Sequence, residues 1–308
     1  IWGAGLGSRK GARLSADMRY FRAIFRVGKK VKKVTPKLHK AFSYFGNIIW
    51  GGLESRFYLA VLISPDAGFK KFATTVKERN LIGLSENELK HLSRLVSTAE
   101  LSLPRFVLEP GKSYEQSVET FVGPKYYDVL QATGYGLQKS LFGWLRPFCV
   151  ILLKIMQVFY KLTLNYGWSI ILLTIVVRVV TYPLTIKGMR IQAKAMAEQQ
   201  RIRPLIEALN QKYKDNPALK NKKLMELYKE HGINPLAPLR GCLPMLVQMP
   251  IFFALYILLI QAIELKGQSF LWITDLSGPD KLLTFNFSLP FLGSNLNLLP
   301  ILMGASQF

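Results

Sequence analysis

The sequence predicts a mixed fold: an extracytoplasmic β-sandwich domain, then an α-helical transmembrane core carrying a cytoplasmic helical hairpin. Three observations predict it. Residues 1–136 hold several short runs with alternating or β-prone character, separated by turn residues, the pattern of a sandwich. Beyond them, 166–186 and 239–265 are apolar runs long enough for a bilayer's hydrocarbon, which takes about 20 residues. The stretch between those runs is polar and basic, as cytoplasmic loops are.

Composition narrows the classes. The chain has 308 residues, 41 Lys+Arg against 19 Asp+Glu, a net charge of +22 and 50% hydrophobic residues. Soluble chains this basic usually bind nucleic acid, but they lack spanning-length apolar runs, so no nucleic-acid binding of its own is expected. Cys149 and Cys242 each sit in an apolar stretch, which argues against a disulfide framework. His39, His91 and His231 are scattered without ligand spacing, so no metal site is expected. Gly111-Lys112-Ser113 resembles the end of a phosphate-binding loop, yet Phe106 stands where the earlier glycine belongs. No nucleotide or other cofactor is expected. Ile1 is not an initiator methionine, and the apolar run at the other end stops at Phe308 before it could span, so membrane helices are expected beyond both ends.

Taken in order, residues 20–27 alternate towards the turn signal Gly28, and further strands are expected at Phe57–Ile63, Phe72–Val76, Leu101–Leu108 and Ser117–Val122. Ser85 and Glu88 have capping-box spacing for a helix to about Val96. The domain's basic start reads as a solvated strand face or one facing anionic lipid. Gly123-Pro124 predicts the start of a short helix, and Gly134 and Gly136 a joint. Residues 137–165 are apolar enough to imitate a membrane span but carry Lys154, Gln157 and Lys161 at spacings of three and four, a polar stripe that fits an amphipathic interfacial helix better than a spanning one. Trp144 and Trp168 are candidate interfacial anchors.

The span 166–186 contains Arg178, whose charge costs about 3 kcal/mol in hydrocarbon on insertion scales. Thr174, Arg178, Thr181 and Thr185 fall at spacings of four, three and four, one polar stripe on a helix. Either an acid of a helix bundle pairs with the arginine, or the stripe faces a water-filled cavity that receives something. Residues 187–238 form the hairpin: a helix from Gly188 to about Tyr213 interrupted or bent at Pro204, then a second capped by Asp215-Asn216-Pro217. Its cations include Arg190, Lys194, Arg201, Arg203, Lys212, Lys220, Lys222 and Lys223, the mark of either a solvated spacer or a docking arm. In the second span, 239–265, Gln248 lies between Pro244 and Pro250, and with Tyr256 is a candidate for the same cavity. Residues 266–298 return outside as an irregular loop, and 299–308 begin a third span.

The stretches YGWSIILLTIVVRVVTYPLT, INPL followed by GCLPMLVQMPIFFALY, FLWITDLSGPD and LPILMG, with FVGPKYYDVL and GLESRFYLAVLISPD upstream, resemble the YidC/Oxa1/Alb3 family of membrane protein insertases in its bacterial form with a large periplasmic domain. One departure is the segment LAPLR before Gly241-Cys242, longer than the compact junction expected there. The resemblance implies a bacterial inner-membrane protein with a positively charged hydrophilic groove, mapping the family's arginine onto Arg178 and a neighbouring threonine onto Thr174. It implies that the hairpin recruits substrate and that the outer domain is largely dispensable for insertion; the mechanism expected here makes and breaks no bond. Implied partners are nascent membrane proteins, the Sec translocon, the ribosome and the signal-recognition-particle receptor. The competing class is an anion channel or transporter using Arg178, which predicts inverted repeats that the sequence does not display.

Overall fold

A computed structural model describes residues 20–36, 40–66, 68–78, 95–214, 216–230, 237–280, 283–289 and 293–306. An antiparallel β region comes first and helices follow. The chain divides into two units, one of residues 1–146, 259–267 and 277–279, the other of 147–258, 268–276 and 280–308.

In the first unit, β1 (Arg22–Val27) turns at Gly28, held at φ +54°, into β2 (Lys30–Val34). The 13-residue strand β3 (Phe42–Glu54) organises the rest. Its first half pairs with β5 (Phe69–Glu78), and its second half lies between β1 and β4 (Tyr58–Ile63). Strand β6 (Leu95–Ser102) extends β5, and β7 (Glu119–Pro124) extends β4. The β3–β5 register shifts between Phe45 and Ile48, and the β1–β3 register shifts at Arg26/Val27. Such bulges bend a strand. The folded sheet brings Phe25 of β1 against Phe72 of β5, rings stacked at 4.6 Å, with Phe21, Ala23, Ile48, Leu53 and Phe69 completing the core. Gly52 is required where β3 meets β4, because a Cβ there would lie 2.0 Å from the carbonyl oxygen of Ala60.

A charged cluster is buried beside this core. Glu54, its side chain 3% exposed, accepts from Lys33 Nζ at 2.8 Å and from Lys125 Nζ at 3.2 Å. Lys125 also donates to Ser55 O at 2.7 Å, and Lys33 to Ser140 O at 2.6 Å. Burial pushes the Lys125 ammonium below its ordinary pKa, with the Glu54 carboxylate opposing the shift.

Several expectations change. The strand foreseen at Leu101–Leu108 ends at Ser102, since Pro104 has no N–H for a ladder. Gly123-Pro124 closes edge strand β7, and the helix α1 (Tyr127–Ala132) starts later. Strands β2 and β3 were not foreseen. The capping box at Ser85 lies outside the described residues, and Leu95 and Val96, at the end of that expected helix, instead begin β6. The segment expected to be interfacial opens with two single 3-10 turns, Leu137–Ser140 and Gly143–Leu145, before the helix α2 (Arg146–Thr163).

The predicted span and the first arm of the predicted hairpin are one helix. α3 runs unbroken from Tyr166 to Lys212, 47 residues, with Pro183 and Pro204 inside it. Each proline withdraws one donor, from the carbonyls of Val179 and Gln200, and a long helix absorbs that loss as a bend. α4 (Pro217–Glu230) follows, its first turn capped by Asn216 Oδ1 accepting from Leu219 N at 3.1 Å. Gly232 and Pro235, its expected stop signals, lie outside the described residues. α5 (Ala237–Gln261) is the second apolar helix, followed by a 3-10 turn at Ile263–Leu265. The loop foreseen as irregular contains a hairpin, β8 (Leu283–Leu289) and β9 (Gly293–Leu296). α6 (Leu298–Ala305) ends the described chain, its Leu299 N–H capped at 2.6 Å by the buried carboxylate of Asp280.

Candidate functional site

The site is built on α3, and its placement begins at Leu164 and Asn165. Leu164 takes a left-handed φ of +54°, and Asn165 caps α3 by accepting from Gly167 N at 2.8 Å, so α2 passes into α3 in two residues. The ring of Phe270 rests on Gly167, where a Cβ would come within 2.1 Å of it, and stands edge-on to Trp168 at 5.6 Å. The first turn of α3 is thereby fixed by the loop that follows α5.

By length and composition, one helix among the described residues is apolar enough to cross a membrane, Tyr166–Glu198, with only 17% of its most apolar window buried. Gln248–Gln261 of α5 is a shorter apolar stretch. Between α3 and α5 lies a cavity of about 550 Å³. From α3 it is lined by Thr174, Val177, Arg178, Thr181 and Thr185, and from α5 by Gln248, Ile251, Phe252 and Leu255. The predicted stripe and Gln248 therefore converge. Tyr256 is not among the lining residues: it flanks that face of α5 and is 55% exposed.

The chemistry of the lining is directional. Thr174 Oγ1 donates to Ile171 O at 2.7 Å, Thr181 Oγ1 to Val177 O at 2.8 Å and Thr185 Oγ1 to Thr181 O at 2.9 Å. Each hydroxyl thus spends its proton on its own helix and keeps oxygen lone pairs for a guest. Arg178 supplies donors instead. Its side chain is exposed, and among the described residues no carboxylate forms an ion pair with it.

The other candidate residues lie apart from this cavity. Arg190, Lys194, Arg201, Arg203 and Lys212 are exposed along the far part of α3; on α4, Lys222 is exposed, and Lys220 and Lys223 are half-buried. Two are engaged locally, Arg203 with Glu207 at 3.0 Å and Lys223 with Glu226 at 2.6 Å. Trp144 is 80% exposed and Trp168 53%. On α2 three sectors follow one another around the helix. Cys149, Leu152, Leu153 and Met156 are buried, Lys154, Gln157 and Lys161 form the polar stripe, and Phe148, Ile151, Val158 and Leu162 are apolar yet exposed. Cys149 Sγ reaches Ala254 O of α5 at 3.4 Å.

Comparison with known proteins adds two families. Residues 158–308 match the family model described as 60Kd inner membrane protein, and residues 9–156 match that of the YidC periplasmic domain. Similar curated proteins are each named membrane protein insertase YidC. The one from Pelobacter propionicus is 39% identical over 267 residues, 86% of this chain and 45% of the relative. That from Prosthecochloris aestuarii is 41% identical over 201 residues, covering 64% and 33%, and that from Endomicrobium trichonymphae is 34% identical over 310 residues, covering 100% and 54%. The chain spans about half the length of these relatives or less.

Proposed function

Since the chain belongs to the YidC family of inner-membrane proteins, whose curated relatives are named membrane protein insertases, we propose that it inserts nascent membrane proteins and helps them fold by way of the cavity around Arg178. The observation that carries this reading is the convergence of Arg178, three threonine oxygens and Gln248 on one cavity between two apolar helices.

In this reading the cavity is a hydrophilic groove that holds the polar outer segment of a substrate, while the substrate's apolar segment slides along α3 and α5 into lipid. Arg178 draws acidic residues of that segment. At an effective dielectric near 20, opposite charges about 4 Å apart gain about 4 kcal/mol, close to the roughly 3 kcal/mol insertion cost of a carboxylate. The attraction offsets the barrier without trapping the substrate. Threonine oxygens accept from the backbone N–H groups that an extended segment brings with it. The basic hairpin, 187–238, sits in the cytoplasm and receives substrate from the ribosome and the signal-recognition-particle receptor; the β domain, 1–136, is periplasmic; and the Sec translocon is a partner for larger substrates. The segment 137–165 lies in the interface with Trp144 as its anchor, and its Lys154 and Lys161 face anionic lipid.

Replacement of Arg178 by Ala is expected to cut insertion of a single-span substrate with an acidic outer tail about tenfold or more, while Lys largely preserves it. Protease protection of the tail in reconstituted vesicles measures this. Full activity of the Ala variant would remove the charge from the mechanism, and anion flux through the same vesicles would favour a channel.

A further inference from the structure

The segment from Arg22 to Val34 contains six cations and no acid. Arg22 is half-buried with its Nε buried, and the other five divide into two groups. Lys33 and Arg26 turn to the protein: Lys33 bonds Glu54 and Ser140 O, and Arg26 Nη1 donates to Tyr135 O. Lys29, Lys30 and Lys32 are exposed, at the turn and along β2, whose only strand partner among the described residues is β1. Lys32 Nζ stands 4.2 Å over the ring of Tyr44, which holds the side chain extended on the sheet.

The two bonds to residues 135 and 140 fix where this edge lies. Ser140 is four residues from Trp144, and four residues of chain reach at most about 14 Å. An exposed tryptophan at the start of an amphipathic helix seats itself at headgroup level. The attraction of an anionic leaflet persists over a Debye length, about 10 Å. Through Lys33, the lysine edge is thus joined to the segment that carries Trp144.

We propose that Lys29, Lys30 and Lys32 bind the headgroups of anionic phospholipids, so that this edge of the β domain rests on the membrane surface. This presupposes that α2 lies in the interface, and it is independent of what the groove carries. Each ammonium group at such a surface is worth about a fivefold preference for anionic over zwitterionic lipid, so three together give on the order of a hundredfold. Edge lysines also deter strand pairing, a role that creates no preference among lipids. An acidic polypeptide would meet the same charges, but the nearness of Trp144 favours lipid.

The test uses the membrane protein in nanodiscs of phosphatidylcholine with or without phosphatidylglycerol. Native mass spectrometry counts the lipids retained by the wild type, by the triple variant K29Q/K30Q/K32Q and by K70Q/K71Q, which removes charge from β5 instead. The wild type and K70Q/K71Q are expected to retain phosphatidylglycerol preferentially, and the triple variant to lose at least tenfold of that preference. Equal retention in all three, or equal loss in both variants, overturns the proposal. So does tight binding of a poly-glutamate peptide in phosphatidylcholine discs that the triple variant abolishes while lipid retention stays unchanged, because the edge would then serve an acidic polypeptide. Insertion activity does not enter the readout, so failure here and failure of the insertase reading are told apart.

Discussion

Lys125 is the residue whose environment the sequence concealed most completely. It shares the buried Glu54 carboxylate with Lys33, and the two bonds that define the cluster join residues 71 and 21 positions apart, beyond any local periodicity. A glutamate in β3 and a lysine after β7 read alone as ordinary surface charges. Because burial depresses the Lys125 pKa, the unfolded chain holds that proton more tightly than the native one. The sign follows: the cost of the buried charge is present in full below the native pKa and is relieved as pH rises towards the ordinary value near 10.5. Denaturant unfolding across the alkaline range is expected to show the wild type gaining stability relative to Lys125→Met; parallel profiles would mean that Lys125 is not depressed. Glu54→Gln leaves two cations without their acid and is expected to lose about 3 kcal/mol, read by the same unfolding experiment. Arg178 is the opposite case. Its anomaly was legible because a guanidinium in an apolar run needs no partner to be noticed.

At the level of elements, periodicity located the helices and alternation found β1 and β4, while β3 escaped. Its sequence, FSYFGNIIWGGLE, mixes apolar residues and glycines, because its first half is largely exposed while its second half is buried and passes so close to β4 that Gly52 has no room for a side chain. The polar stripe was legible from spacing alone, since Thr174, Arg178, Thr181 and Thr185 share a helix; that Gln248 faces them depends on how α5 packs, which no local pattern states. The seat of Phe270 on Gly167 is similarly non-local. Gly167→Ala is expected to destabilise by about 1–3 kcal/mol through overpacking, and Phe270→Ala in the same chain to recover much of that loss. Thermal unfolding of the single and double variants measures the coupling; purely additive losses would contradict the contact.

Across the whole molecule, two features join distant stretches of chain. Arg56, in the turn between β3 and β4, donates to Ile260 O at 2.7 Å and to Ser277 O at 3.0 Å, its guanidinium lying 4.6 Å over the ring of Phe57. These contacts tie the β region to the last turn of α5 and to the loop beyond it. Arg56→Ala is expected to speed amide exchange in residues 260–267 about tenfold, and Lys to restore little of the protection, since an ammonium cannot reproduce the fork. Unchanged exchange would show the tie to be dispensable. The second feature is the length of α3. At 47 residues it measures about 70 Å, of which the part from Pro183 to Lys212 is about 44 Å. Treated as a lever pivoting at the proline, a tilt of about 10° sweeps its tip through about 8 Å. Arg178 stands five residues before the pivot and hardly moves. On the reading proposed above, delivery and capture would be mechanically separate: the far arm would sweep a volume while Arg178 keeps its station.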